Sequence, residues 1–166
     1  MKIAFANDHA GYGARDLVLR TLREAGHEVI DFGSNSPESV DYPDYAQKAC
    51  EAVVRKQAER AVLVCGTGQG MVIAANKVPG IRAARCLNVR DAELARSHND
   101  ANVITLGGGW GRENGQIDLP AILKAWLTTK FEGGRHQRRL DKIARMEKHC
   151  GDASGAKKPP RGEDHD

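Results

Sequence analysis

Residues 65–70 of this 166-residue chain read Cys-Gly-Thr-Gly-Gln-Gly and directly follow an apolar, strand-like segment. Glycines let backbone N–H groups approach a ligand closely, and the start of a helix favours negative charge. The same position favours the thiolate form of a cysteine, so Cys65 is a candidate base or nucleophile. The alternative is a small buried residue that fills the strand end. The spacing is GxGxG, with no Lys-Ser or Lys-Thr after it, which matches neither a dinucleotide fingerprint nor a P-loop.

Other residues that could take part in binding or catalysis lie in three further places. Asp8 and His9 close the first strand-like segment, where they could share proton transfer or hold a phosphate, although Asp8 could equally cap a helix. Arg135 and Arg139 are four residues apart, so they share one helix face and could grip a phosphate, although such a charge run is also typical of a solvated face. His98 precedes the fifth strand. We therefore expect it at the opposite end of the sheet from the glycine-rich loop, where it could serve only a neighbouring subunit.

Short apolar segments that alternate with helical stretches must position these groups. The predicted strands are Ile3–Ala6, Glu28–Phe32, Ala61–Cys65, Ile81–Cys86 and Asn102–Leu106. The predicted helices contain Leu17–Leu22, Tyr45–Lys56, Met71–Asn76, Asp91–His98, Leu119–Thr129 and His136–Lys148. Nearly continuous apolar strands that alternate with helices are typical of a parallel sheet covered on both faces. We predict a Rossmann-like three-layer α/β/α fold with a five-stranded parallel sheet, whose basic last helix projects and packs on a partner.

The chain is expected to form one domain over residues 1–150, because its length suits a single core. Residues 151–166 contain no large apolar side chain, so nothing there offsets the entropy of ordering. We predict a disordered C-terminal tail over those residues.

Composition argues against several functional classes. The net charge is +3 and aromatic residues make up 5%, which is too weak a signal for a nucleic-acid surface. No apolar run approaches the roughly 18 residues of a membrane span. The four cysteines contain no CxxC pair, so we predict no metal site and a reducing, cytoplasmic location.

Together, the motifs resemble the ribose-5-phosphate isomerase B family, which includes galactose-6-phosphate and allose-6-phosphate isomerases. The similarity runs from Met1 to about Lys148. The motifs that carry it are Asp8-His9-Ala10-Gly11, Asp41-Tyr42-Pro43, Cys65-Gly66-Thr67-Gly68, Ala74-Ala75-Asn76-Lys77, Gly80-Ile81-Arg82-Ala83, His98-Asn99-Asp100-Ala101-Asn102 and Glu132-Gly133-Gly134-Arg135-His136. The resemblance implies a homodimer, with pairing into a tetramer left open, whose active sites lie between subunits and use no cofactor.

The resemblance also implies a role for each site residue. Cys65 removes the proton next to the carbonyl of a phosphorylated sugar and returns it to the adjacent carbon through a cis-enediolate. Charge stabilisation and substrate binding fall to the glycine-rich loop, namely Thr67 with Gly66, Gly68, Gln69 and Gly70. Asp8 and His98 open the sugar ring, and Asn99 positions it. The phosphate is bound by His9, Arg135 and Arg139.

Two departures from the family pattern leave the sugar open. Relatives often carry an Arg in a Gly-x-Arg context after the fifth strand, whereas residues 107–112 read Gly-Gly-Gly-Trp-Gly-Arg. Arg112 could replace that Arg, and Trp110 could reshape the sugar pocket. Gln69 stands where some relatives use a Glu base, which leaves Cys65 as the base. Ribose 5-phosphate is the expected substrate, and a tetrose or hexose phosphate is the alternative substrate. The alternative function is a sugar-phosphate-binding module without catalysis.

Overall fold

Strands and helices alternate along the chain in the computed structural model, which describes residues 1–109 and 117–153. The strands are β1 (Lys2–Asn7), β2 (Glu28–Asp31), β3 (Arg60–Cys65), β4 (Ala83–Arg85) and β5 (Val103–Gly107). The helices are α1 (Arg15–Glu24), α2 (Tyr42–Val54), α3 (Gln69–Ala75), α4 (Val89–Ser97), α5 (Leu119–Thr128) and α6 (Arg135–Ala153). Each predicted strand and helix is therefore present. β4 is shorter than predicted, and α2 begins three residues earlier because Pro43 is tolerated in its first turn.

The five strands form one parallel sheet in the order β2-β1-β3-β5-β4. Asn7 lies opposite Val64, and Cys65 lies opposite Gly107. The carboxyl ends of β1, β3 and β5 therefore meet at one edge, where ligands bind in open parallel sheets. The predicted fold class is confirmed.

Apolar residues cover both faces of the sheet because successive side chains of a strand point in opposite directions. Ile3 and Phe5 pack with residues of α1, α4 and α5 on one face. Ala4 and Ala6 pack with residues of α2 and α3 on the other. Burial of a large side chain such as Phe5 contributes about 1.5–3 kcal/mol, and these two layers hold the strand ends in fixed positions.

The outer edge of β4 is closed by a side chain. The Asn76 amide donates to the Ala83 carbonyl oxygen at 3.0 Å and accepts from the Ala83 N–H at 2.9 Å. These are the two backbone groups of Ala83 that point away from β5. The amide therefore takes the place that a further strand would occupy.

Helix α6 contacts the domain through a few side chains. His136 and Leu140 are buried, and the Glu147 carboxylate accepts from the Gly80 N–H at 3.0 Å. Most other described side chains of α6 are exposed, as expected for a projecting helix. The helix continues to Ala153, three residues into the segment predicted as tail, and residues 154–166 lie outside the described part. Among the described helices, none is both long and apolar enough to cross a bilayer.

Candidate active site

Cys65 is the last residue of β3, and its sulfur lies inside the glycine-rich loop that leads into α3. The Sγ atom accepts a hydrogen bond from the Gly68 N–H at 3.1 Å, and the residue is 5% exposed. Gly68 has φ +80°, a left-handed conformation that costs a residue with a Cβ about 1–2 kcal/mol. The glycine therefore allows the backbone to turn its N–H towards the sulfur.

Neighbouring strands hold the carbonyl groups of this loop. The Thr105 hydroxyl donates to the Gly68 carbonyl at 3.0 Å, and the Arg85 Nε–H donates to the Thr67 carbonyl at 2.7 Å. The Gly108 N–H donates to the Cys65 carbonyl at 2.8 Å. Sequence reasoning missed Arg85 and Thr105, although a polar residue inside an apolar strand is a signal that could have found them.

The loop after β1 brings Asp8 and His9 to the same edge. The Asp8 carboxylate is buried and accepts from the Gly11 N–H at 2.8 Å, which closes a turn. The alternative of Asp8 as a helix cap is wrong, because α1 follows Ala14 and has no side-chain cap. His9 Nδ1 accepts from the Val40 N–H at 3.2 Å. A neutral imidazole with Nδ1 as acceptor carries its proton on Nε2, which can donate to a phosphate oxygen.

These two loops enclose a cavity of about 230 Å³. Its lining residues are Asp8, His9, Ala10, Tyr42, Cys65, Gly66, Thr67 and Gly70. The ring of Tyr42 packs against Gly70, where an added Cβ would lie 2.7 Å from the Tyr42 Cζ. Tyr42 belongs to the motif Asp41-Tyr42-Pro43 of the family resemblance, but no role was predicted for it. The volume is below the roughly 300–1,000 Å³ of pockets for drug-sized ligands, so the cavity suits part of a small molecule.

A larger cavity of about 620 Å³ lies between α1 and α5, away from this edge. Thr21, His27 and Lys124 contribute to its lining, and none of the predicted site residues does. The larger cavity is therefore not the predicted site.

His98 lies at the end of α4 in a second cluster. Its ring stacks on that of His136, with centroids 4.2 Å apart and an interplanar angle of 11°. The Glu132 Oε2 atom lies 3.8 Å from Nε2 of His98 and 3.7 Å from Nε2 of His136. Desolvation lowers the pKa of His136, and His98 and Arg135 lower it further, while Glu132 opposes the shift.

Two arginines hold the loop that carries His98 and Asn99. Asp100 has φ +43°, and its carboxylate is paired with Arg82 and with Arg96, both at 2.9 Å. The Arg82 Nε–H also donates to the Asn99 carbonyl at 3.1 Å. The loop is thereby fixed at the amino end of β5.

The predicted site residues form two groups at opposite edges of the sheet. Asp8, His9, Cys65 and residues 66–70 lie at the carboxyl edge, whereas His98, Asn99, Arg135 and Arg139 belong to the region around the amino edge. The two edges are separated by the length of β3, roughly 13 Å from Ala61 to Cys65. The predicted place of His98 is therefore confirmed, and one chain does not bring the two groups together. Trp110 and Arg112 lie outside the described residues.

The other described cysteines differ from Cys65 in their surroundings. Cys50 and Cys86 are buried in the two cores, and burial raises the pKa of each thiol to about 12. Both are neutral, inert thiols at physiological pH. The structure assigns them a packing role.

The fold is that of a Rossmann-like α/β/α enzyme, and a thiol, a carboxylate and an imidazole lie around the glycine-rich loop at the carboxyl edge of its sheet. The model of the family described as Ribose/Galactose Isomerase matches residues 3–143, and the chain belongs to this family. The family resemblance read from the motifs is confirmed.

Individual relatives agree with this assignment. The chain is 44% identical over 146 residues to ribose-5-phosphate isomerase B of Escherichia coli, which covers 88% of this chain and 96% of that protein. Ribose-5-phosphate isomerase B of Clostridium thermocellum superposes with a TM-score of 0.83 at 46% identity, covering 90% and 99% of the two chains. The Mycoplasma genitalium enzyme, solved with bound ribulose-5-phosphate, has a TM-score of 0.79 at 38% identity, covering 89% and 96%.

Proposed function

We propose that this protein is an aldose–ketose isomerase that interconverts ribose 5-phosphate and ribulose 5-phosphate, with Cys65 as the base. The observation that carries the proposal is the position of the Cys65 sulfur in a cavity that Asp8 and His9 also line. The relatives named ribose-5-phosphate isomerase B, one of them solved with ribulose-5-phosphate, support the choice of sugar.

The reaction moves one hydrogen between adjacent carbons. In the open-chain aldose, the C2 proton is acidic because the C1 carbonyl takes up the electron pair that the proton leaves behind. The Cys65 thiolate removes this proton, which gives a cis-enediolate, and the resulting thiol returns it to C1. One hydroxyl proton passes from O2 to O1, so the sugar is neither oxidised nor reduced overall.

The glycine-rich loop supplies hydrogen-bond donors for the charge that develops. The Gly68 N–H stabilises the negative sulfur before proton transfer. The Gln69 N–H donates to the Thr67 Oγ1 at 3.2 Å, which leaves the hydroxyl proton of Thr67 and the amides of Gly66, Thr67 and Gly70 for the enediolate oxygens. Because Thr105 and Arg85 fix the loop, these donors are oriented before the substrate arrives, which is the arrangement that stabilises a transition state best.

The residues at the amino edge complete the site of a second subunit. His98 and Asn99 act with the partner's Asp8 in ring opening, and Arg135 and Arg139 bind the phosphate with the partner's His9. A two-fold dimer places equivalent surfaces on both subunits, so it forms two such sites. Phosphate binding far from the reacting carbons orients them, an effect worth several kcal/mol.

A cytoplasmic location is part of the proposal, and the state of the thiols supports it. Cys50, Cys65 and Cys86 are free cysteines. A catalytic thiolate needs a reducing compartment, since oxidation would remove the base.

The test is a coupled assay with the five-carbon substrate beside four- and six-carbon sugar phosphates. Turnover of ribose 5-phosphate is expected to exceed that of the other sugars. Cys65→Ala is expected to lower kcat by about 10²–10⁴-fold with little change in KM, because only proton transfer is lost. Cys50→Ala, which removes a buried thiol away from the cavity, is the matched control and keeps its kcat. Unchanged turnover of Cys65→Ala refutes the base, and preference for another chain length refutes the sugar.

A further inference from the structure

We infer that His98, Glu132 and His136 form a binding site for a transition-metal dication, with Zn²⁺ as the ion it fits best. One ligand atom from each of the three residues lies within 4.8 Å of the other two. Two imidazoles and one carboxylate are a donor set found in zinc sites that keep a fourth position open.

The geometry needs a contraction and a turn of the His98 ring to bind the ion, because two rings stacked at 11° direct their Nε2 lone pairs in parallel and not at one point. Zinc bonds of about 2.0–2.2 Å in a tetrahedral arrangement place neighbouring donor atoms about 3.3–3.5 Å apart. The two Nε2 atoms lie 3.8 and 3.7 Å from the same Glu132 oxygen. The side chains of His98 and Glu132 are 36% and 59% exposed, so the His98 ring can turn out of the stack and the carboxylate can close on the ion, whereas the His136 side chain is 5% exposed and fixed.

The chemistry of the three groups selects the metal. Imidazole nitrogens favour Zn²⁺, Cu²⁺ and Ni²⁺, whereas Mg²⁺ and Ca²⁺ prefer oxygen ligands. The Arg135 Nε–H now donates to the His136 Nε2 at 3.4 Å, and the ion must displace this long hydrogen bond. The positive charge of Arg135 weakens binding, so the site suits reversible occupancy.

Metal binding has a consequence for catalysis that rests on the proposed function. A zinc ion on His98 withholds its imidazole from the sugar ring in the neighbouring subunit. Zinc is therefore expected to inhibit the isomerase, and a chelator is expected to restore activity.

The experiment measures zinc binding to the tag-free, full-length protein by calorimetry, with the absorption bands of bound Co²⁺ as a second probe. The expected result is one ion per chain. Glu132→Gln, an exposed substitution, and His136→Gln are each expected to weaken binding by at least about tenfold. His27→Gln, which removes a histidine far from the cluster, is the matched control and leaves binding unchanged.

A cysteine variant separates this proposal from the proposed function. Cys65→Ser lacks the thiol, which could itself bind zinc. This variant is expected to bind zinc as the unsubstituted protein does, even without turnover. Unchanged zinc affinity in Glu132→Gln and His136→Gln, loss of binding in Cys65→Ser, or the absence of a stoichiometric ion overturns the site. None of these readouts requires an active enzyme.

Discussion

Three described cysteines show how surroundings decide the chemistry of one residue type. Cys50 and Cys86 are enclosed by apolar side chains, which penalise the thiolate and raise each pKa to about 12. Cys65 is almost as buried, but its sulfur accepts the Gly68 N–H and lines a cavity. A single backbone donor and access to a ligand thus distinguish the candidate base from two packing residues.

This contrast predicts the pattern of alkylation. With iodoacetamide at pH 8, Cys50 and Cys86 are expected to stay unmodified in the folded protein, because a pKa of about 12 leaves both groups as neutral, buried thiols. Cys65 is expected to react, and peptide mapping by mass spectrometry checks which positions carry the label. Ribose 5-phosphate is expected to protect Cys65. Modification of Cys50 at the rate of Cys65 would contradict the assigned environments.

At the residue scale, the sequence predicted groups that belong to local motifs. Asp8 and His9 follow β1 directly, and Cys65 ends β3, so the rule that parallel strands bind ligands at their carboxyl ends was enough to place them together. Tyr42 and Thr105 were missed, because each contacts the glycine-rich loop from a distant part of the chain. Contacts of that kind depend on sheet order and packing, which local spacing does not encode.

At the scale of elements, the loop between β3 and α3 depends on a left-handed glycine. Gly68→Ala places a Cβ at φ +80°, 3.1 Å from the Leu106 carbonyl carbon, and is expected to cost about 1–2 kcal/mol or slightly more. The melting temperature should fall by roughly 2–8 °C, and kcat should fall because the loop amides move. Melting curves and the isomerase assay measure both effects.

Gly26→Ala is the matched control for this change. Gly26 has φ +78° after α1, and an added Cβ would meet no atom within 4 Å. Its substitution carries the same backbone strain away from the cavity, so it should lower the melting temperature and leave kcat unchanged. Equal loss of kcat in both variants would show that stability, and not loop geometry, limits activity.

Element types were readable from the sequence, whereas their order in space was not. Apolar runs of four to six residues identified the strands, since buried parallel strands are apolar on both faces. The neighbours β3 and β5 are separated in the chain by α3, β4 and α4. Such an arrangement follows from the way the helices cover both faces, and no local pattern specifies it.

At the scale of the whole molecule, the predicted site is divided between two edges of the sheet. Cys65 lies at the carboxyl end of β3, and His98 lies beyond the amino end of β5. Each proposed site in a dimer would therefore take its base from one subunit and its ring-opening imidazole from the other.

Mixed dimers test this division. Cys65→Ala and His98→Asn dimers are each expected to be nearly inactive. After random reassociation of equal amounts, about half of the dimers contain both variants, and each of these has one intact site, so about a quarter of the original activity should return. Cys65→Ala mixed with Asp8→Asn is the matched control, because both changes affect the same edge and no intact site can form. Failure of the first mixture to recover activity would rule out a shared site.

The amide of Asn76 on Ala83 also matters for how copies of this protein behave at high concentration. A parallel sheet has two open edges, and an open edge can recruit an extended segment of another molecule and start aggregation. At β4, an incoming chain would first have to break both hydrogen bonds that Asn76 makes with Ala83. The Asn76 side chain thus opposes intermolecular strand addition at this edge, an effect that does not change the catalytic rate.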